Sequence, residues 1–455
     1  MAPMEPGDPR RGRGALAGAG ALARSRAALS PRVLARALIV TQLAAIVLFG
    51  VLSVSDFFIW GAGGDERAHF AYIQTIAQQG RLPIVNRDRV SLQVQAITDG
   101  TYPLRSPVWP SQVGLRGRSY EAFQPPLYYL TAVPVFDLSS NYLVKVKLLR
   151  GYGLLLLLAS IALCAALARR VFGRERWLLP FAFALTVYLW PGVLVGGATV
   201  SNAALELPLM IATVWALWRA HTARSGRALL AAGALIGLCL LTQVTLVFIV
   251  PLLVAVAARL LWRDRSRRML ATAAAALVLP LALLTPWLIF NEIHYHALTA
   301  NSLAQRVQHS ITPKHVNFGF VTSGDVKMVD ALLPEDWWFE GRGSVGTAIE
   351  WLVIVELIGM AAAGAALALR RRRAVPWLLL APAPLWFLTM DIATIVARWN
   401  LLHPRYGYSA LPLLALFGAG TLVVERRGEG AVLAASAATS ALLIGLWVWL
   451  AATFY

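Results

Sequence analysis

Acidic residues are scarce in this 455-residue chain, 23 Asp+Glu against 41 Lys+Arg, and charged residues of either sign make up only 14% of it. An ordinary soluble domain carries about 25% charged and about 45–50% apolar residues, whereas 58% of this chain is hydrophobic. That leaves too little charge to cover the several cores a soluble protein of this length would need, which excludes a soluble enzyme and a disordered chain. Cysteine is nearly absent. Cys164 and Cys239 both sit inside long apolar runs, which excludes a disulfide scaffold and a Cys-based metal centre. Internal repeats are lacking as well, and many transporter folds are built from them.

What the chain has instead is long apolar runs with arginines between them. Runs of roughly 20 residues match the helix length that a hydrocarbon layer of about 30 Å requires. They fall near 37–58, 148–168, 177–197, 203–220, 228–242, 244–262, 269–290, 347–369, 374–395, 406–424 and 431–453. The expected fold is an all-α polytopic integral membrane protein of about eleven transmembrane helices. The first run exceeds a signal-peptide core of about 7–15 residues and has no small-residue cleavage site, so it reads as an anchor.

The net charge of +18 gathers in short loops: Arg10 to Arg36, Arg169 to Arg176, Arg263 to Arg268, and Arg370 to Arg373. These loops fall on one side of the bilayer, and short basic loops stay cytoplasmic. The basicity is therefore topological, and a nucleic-acid partner is excluded. Residues 1–36 read as a disordered basic cytoplasmic tail and 37–60 as the first transmembrane helix. A first extracytoplasmic loop then spans 61–147, followed by helices two to seven over 148–290. A second outer loop spans 291–346, and 347–455 carries the last four helices. The chain is expected in the plasma (inner) membrane. Loops of this length are more often functional than decorative.

The first outer loop holds the informative residues. Asp65 to Gln79 has helical periodicity, Gly80 is placed to end that helix and Pro83 prevents its resumption. Such a helix belongs in the membrane interface, where Asp65 and His69 project together one turn apart. A plainer reading makes Asp65 only the helix cap and Glu66 a favourable dipole charge. A second cluster, Tyr120-Glu121-Ala122-Phe123-Gln124-Pro125-Pro126-Leu127-Tyr128-Tyr129, brings Glu121 and Gln124 to the start of another apolar helix. His294, His296, His309 and His315 in the second loop form only a weak metal signal. Glu206, Glu356 and Asp391 are functional suspects as ionisable groups within apolar runs.

Taken together, Asp65-Glu66-x-x-His69, Gly80-Arg81-Leu82-Pro83 and Glu121-Ala122-x-Gln124-Pro125-Pro126-Leu127-Tyr128-Tyr129 resemble the first outer loop of GT-C glycosyltransferases. That superfamily includes the protein O-mannosyltransferases and the lipid A aminoarabinose transferase. Val200-Ser201-Asn202, Leu240-Leu241-Thr242, Pro286-Trp287 and Arg405-Tyr406 follow in order, so the likeness runs from the first span to the tenth. Ala203 and Gln243 depart from it, standing where the family often has Asp and Lys.

The resemblance implies a GT-C-like bundle with interfacial helices in the first outer loop. It also implies inverting transfer of a sugar from a polyprenyl-phosphate carrier to an acceptor hydroxyl on the extracytoplasmic face. Asp65, with Glu66, matches the catalytic carboxylates. A carboxylate base suits an acceptor hydroxyl that loses its proton as it attacks. His69, Gln124, Arg405 and Tyr406 are the expected donor and phosphate contacts, Arg405 as a two-pronged cation for the leaving phosphate. Glu66 or Glu121 could position the acceptor or bind a divalent cation with Asp65, since carboxylate oxygens suit Mg, Ca or Mn. No cofactor is required by this reading. The expected partners are a polyprenyl-phosphate-linked sugar, a glycan, lipid or protein acceptor, and the bilayer. Two other classes stay open: a transporter or flippase of lipid-linked sugars, which would show discontinuous helices and repeat symmetry, neither expected here, and a non-catalytic scaffold.

Overall fold

A computed structural model describes residues 30–57, 65–85, 87–98, 119–299, 343–370, 376–396, 407–424 and 428–454. Among these residues the structure is helical, with no β-strand. The first helix, α1 (Pro31–Leu52), has proline in its first turn, and the Ser30 side chain accepts from the Val33 N–H at 3.4 Å. Proline is tolerated there because its missing donor would be unpaired anyway. Residues 31–36, expected in the tail, thus belong to this helix, which passes into a π-turn over Ser53–Phe57.

The outer loop contributes α2 (Glu66–Gln79), α3 (Leu92–Thr98), a 3-10 turn over Tyr120–Phe123, and α4 (Leu127–Phe136). Then come α5 (Tyr142–Phe172), α6 (Leu178–Leu189), α7 (Pro191–Ala198), α8 (Ala203–Ala223), α9 (Gly226–Thr242), α10 (Val250–Arg263) and α11 (Arg267–Tyr295). The remainder is α12 (Gly343–Arg370), α13 (Trp377–Leu380), α14 (Pro382–Val396), α15 (Leu411–Val424) and α16 (Glu429–Phe454).

Among the described residues, 7 helices are long and apolar enough to cross a membrane, or up to 8 if the bent pair α6–α7 is one span. About eleven spans were expected. The difference lies in α9 and α15, apolar helices of 17 and 14 residues, and α14, of 15 residues. The run expected as one helix over 177–197 is broken, its halves meeting at 70°. Pro191 is the cause. The residue before a proline is pushed out of the helical region, and Trp190 sits at φ −61, ψ 128. The expectation that no helix is discontinuous is corrected by this break.

Helix ends sort into two sets. At one end Arg32 pairs with Glu175, Arg176 donates to the Val424 carbonyl at 3.1 Å, and Gly226 abuts Thr272. That end carries Arg169, Arg170, Arg219, Arg227 and Arg263. At the other end Arg150 reaches Ser53, the Asn202 amide donates to the Thr242 carbonyl at 3.1 Å, and the Val85 N–H donates to the Tyr295 hydroxyl at 3.1 Å. The outer-loop helices pack there.

Close helix contacts rest on small residues, as in membrane bundles where van der Waals fit replaces the hydrophobic drive. At Gly233 a methyl group would strike the Ala276 carbonyl, and at Gly153 it would strike the Gly197 carbonyl. The second contact draws the end of α7 against α5. A main apolar core fills the bundle, and a second cluster, including Phe70, Ile73, Tyr128, Tyr129, Phe136 and Leu149, seats the outer-loop helices on it.

Candidate active site

The site is built around the start of α2. Asp65 stands at the N-cap position, and its backbone carbonyl accepts from the Ala68 and His69 N–H groups at 2.9 and 3.0 Å. Its carboxylate makes no capping bond, so the plainer reading of Asp65 as a cap alone does not describe it. At the other end of the helix Gly80 adopts φ 63, a left-handed conformation that costs glycine little. From Ala68 to Thr75 α2 is buried on all sides, apolar Phe70 and Ile73 together with polar His69, Gln74 and Thr75. Asp65 and His69 are thereby enclosed within the fold.

The 3-10 turn over Tyr120–Phe123 brings in Glu121, and the Gln124 N–H donates to the Glu121 carbonyl at 2.9 Å. Pro125 and Pro126 then lead into α4, with Pro126 at its N-cap position. Asp65, His69 and Glu121 are 7%, 3% and 1% exposed, and their potential ligand atoms all lie within 4.8 Å of one another. Two carboxylates and an imidazole are thus gathered at one buried place at the margin of the apolar bundle. Oxygen donors suit Mg, Ca or Mn and imidazole suits Zn or Fe, so among the described residues these three side chains could hold a divalent cation.

The imidazole is oriented from behind. His69 Nδ1 and the Tyr129 hydroxyl are 2.8 Å apart, and the Tyr129 ring stacks on Tyr72 with centroids 3.7 Å apart and planes 6° from parallel. The Tyr72 hydroxyl donates to the Gln124 carbonyl at 3.1 Å, which ties the two motifs together. Burial pushes the Tyr129 hydroxyl well above its ordinary range, and the charges of Glu121 and Asp65 add to the effect. Tyr129 therefore stays protonated and keeps a proton for this bond.

Glu66, one residue on, points elsewhere. Arg150 Nε and Nη2 each donate to it at 2.7 Å, and the Val200 N–H donates to it at 3.1 Å. Glu66 and Arg150 are 1% and 3% exposed. The carboxylate that the sequence set beside Asp65 as a second catalytic or cation-binding group is thus engaged by a guanidinium, and His69 takes its place in the cluster. Arg150 was missed from the sequence, although a lone cation just inside an apolar run is a signal. A second pair braces the loop: Arg81 Nη1 and Nη2 donate to Asp88 at 2.7 and 2.5 Å. Burial opposes the Asp88 charge, but Arg81, the Ile84 N–H and the Arg87 charge outweigh it and hold the carboxyl below its ordinary value.

Gln124 is buried at this site, 7% exposed. Arg405, Tyr406, His309 and His315 lie outside the described residues, and His294 and His296 are exposed at the end of α11. Glu206 accepts from the Ser409 hydroxyl at 2.6 Å, and Glu356 accepts from Thr439; neither belongs to the cluster. Asp391 lies in α14.

Residues 124–290 match the family described as dolichyl-phosphate-mannose-protein mannosyltransferase. That stretch includes Arg150 and leaves Asp65 and Glu121 outside it. No curated protein sequence matches the chain. In fold it is similar to ArnT from Cupriavidus metallidurans bound to undecaprenyl phosphate, at 16% identity and a TM-score of 0.51, covering 84% of this chain and 60% of that one. The apo form of ArnT gives 15% identity, coverage of 85% and 60%, and a TM-score of 0.49. The Archaeoglobus fulgidus oligosaccharyltransferase, in complex with Zn and sulfate, gives 13%, 89% and 53%, and 0.44. The chain thus spans 60% of the length of ArnT. The likeness to ArnT is one of fold, and it agrees with the GT-C-like bundle expected from the sequence.

Proposed function

We propose that this protein transfers a sugar from a polyprenyl-phosphate carrier to an acceptor hydroxyl at the extracytoplasmic membrane face, with inversion at the anomeric carbon. The observation that carries the reading is the buried Asp65–His69–Glu121 cluster at the start of an interface helix. That ArnT, a protein of this fold, is seen with undecaprenyl phosphate supports the choice of donor. Asp65 takes the acceptor proton while the acceptor oxygen bonds to the anomeric carbon and the bond from that carbon to the phosphate oxygen breaks. One displacement of this kind inverts the centre. His69, held by Tyr129, and Gln124 donate toward the donor side. Arg405 and Tyr406, near the mouth of the tenth expected span, meet the leaving phosphate, where a forked cation stabilises the growing charge.

Glu121 positions the acceptor. Glu66 acts through Arg150 to hold α2 on the bundle. Should a divalent cation bind, Asp65, His69 and Glu121 would hold it, and its charge would favour their ionised or neutral ligand forms. The flippase alternative gains the discontinuous helix α6–α7. The break has a structural use within the enzyme reading, however, since it delivers the Val200 N–H to Glu66.

The test is transfer from a panel of labelled polyprenyl-phosphate sugars into membranes carrying the full chain. Label should move to an acceptor with wild type and not with Asp65→Asn. Translocation of the labelled lipid without transfer, unchanged in Asp65→Asn, would favour the flippase.

A further inference from the structure

The basic end of the bundle, opposite the cluster, holds two neighbouring cavities that the transfer reaction does not use. One, of about 690 Å³, lies between α5, the α5–α6 turn and α8, and is lined by Arg169, Arg170, Arg174, Trp177 and Trp215. The other, of about 530 Å³, lies between α8 and α9 and is lined by Arg219, Arg227 and the same Trp215. Trp215 is therefore the wall between them.

Charge balance at this end is one-sided. Arg32 and Arg176 have partners in Glu175 and the Val424 carbonyl. Among the described residues, no ion pair is formed by Arg169, Arg170, Arg174, Arg219 or Arg227. Arginines in short loops need no ligand to explain their side of the membrane. That account does not explain why they line cavities, nor the state of Trp215. Its indole Nε1 is buried and has no hydrogen-bond partner. A buried N–H normally finds an acceptor, because leaving it unpaired forfeits its hydration. The start of α9 opens on the second cavity, where Ser225 already caps the Ala228 N–H at 3.2 Å, and a helix start favours negative charge.

We propose that these two cavities form a binding site for an anionic phospholipid. The phosphate would lie among the arginines, a headgroup or ester oxygen would accept from Trp215 Nε1, and the acyl chains would follow the apolar flanks of α5 and α8. Guanidinium groups without an ion pair, an aromatic wall between them and an orphaned donor between helices are the chemistry that recognises such a headgroup. The site is independent of the sugar-transfer reading.

The full chain, purified in detergent, is titrated with phosphatidylglycerol, with phosphatidylcholine and with inorganic phosphate. Retained lipid is read by native mass spectrometry and the unfolding midpoint by thermal scan. Phosphatidylglycerol should be retained and should raise the midpoint, while phosphatidylcholine and phosphate should do neither. The double variant Arg170→Gln, Arg174→Gln should weaken phosphatidylglycerol binding by roughly tenfold or more. Trp215→Phe, which keeps shape and charge, should weaken it by a smaller factor and decides alone if the arginine variant does not fold. Equal retention of the two lipids, an equal shift with inorganic phosphate, or wild-type retention in Trp215→Phe and the arginine variant would overturn the site.

Discussion

Arg150 holds Glu66 through two hydrogen bonds of 2.7 Å across 84 residues of sequence, and Arg150 Nη1 approaches the Ser53 carbonyl at 3.4 Å. One side chain thus joins the end of α1, the start of α2 and the body of α5. The cluster residues Asp65 and His69 flank Glu66 on the same helix, so this pair sets where they stand. Breaking a buried pair from one side strands a charge and costs about 3–5 kcal/mol, whereas removing both charges costs far less. Arg150→Met should therefore lower the unfolding midpoint and abolish transfer, and Arg150→Met with Glu66→Gln should recover much of the stability. A double variant as unstable as the single one would show that Arg150 acts through something other than Glu66.

Asp65 can serve as a base only with a lone pair open to the acceptor. Asp65→Asn keeps its shape, so folding should survive while transfer drops by roughly 10²–10⁴-fold. If the proton goes to Asp65 and the phosphate to Arg405, as proposed, transfer should persist in EDTA. Loss of activity in EDTA with recovery on adding Mn²⁺ or Mg²⁺ would instead make the cluster of Asp65, His69 and Glu121 a cation site.

The sequence was informative wherever a local rule applied. Gly80 marked the end of α2 and the proline pair marked the start of α4, and both stand where expected. The reach of an apolar run was harder to read. Pro191 sits in a stretch hydrophobic enough to pass for one span, and since Pro280 and Pro286 lie inside a continuous helix, a proline in such a run does not by itself mark a 70° break. Partner choice was harder still. Asp65 and Glu66 are neighbours on one helix and differ in orientation by about 100°. Which of them meets Arg150 depends on how α2 rolls onto Tyr129 and Leu149, a tertiary fact with no trace in spacing.

The two sets of helix ends allow the expected orientation across the membrane to be tested. Ser140, exposed beside the outer-loop helices, and Arg265, exposed at the basic end, belong to opposite sides. The native Cys164 and Cys239 are both buried, so background labelling should be low. Cysteine at 140 should react with an impermeant thiol reagent from outside intact cells, and cysteine at 265 only after lysis. The reverse pattern would place the cluster in the cytoplasm.

The Arg81–Asp88 brace gives a pH expectation. Its carboxyl is held below the ordinary value, so its stabilisation is fully present above the unfolded carboxylate pKa of about 3.9. It fades as pH falls through the lowered folded value. Between pH 5 and 8 the brace should contribute a constant amount, and Asp88→Asn should lower the unfolding midpoint equally across that range. A difference that grows between pH 5 and 8 would mean another group is titrating there.

Tyr129 is the hydroxyl behind His69, and its role separates from that of the cluster by kinetics. Tyr129→Phe keeps the stacking on Tyr72 and removes only the oxygen. His69 Nδ1 then loses its 2.8 Å partner in a buried place, where an unpaired polar atom costs about 1–3 kcal/mol. The ring loses one of the contacts that orient it, and the group it presents toward Asp65 and Glu121 is held less firmly. Because Tyr129 orients a side chain and does not itself take the proton, kcat should fall by roughly 10-fold, well short of the range for a lost base. KM for the donor should rise if His69 contacts it. A variant with unchanged kcat and KM but a lowered midpoint would make the bond structural only. A loss as deep as that of Asp65→Asn would put Tyr129 in the proton path.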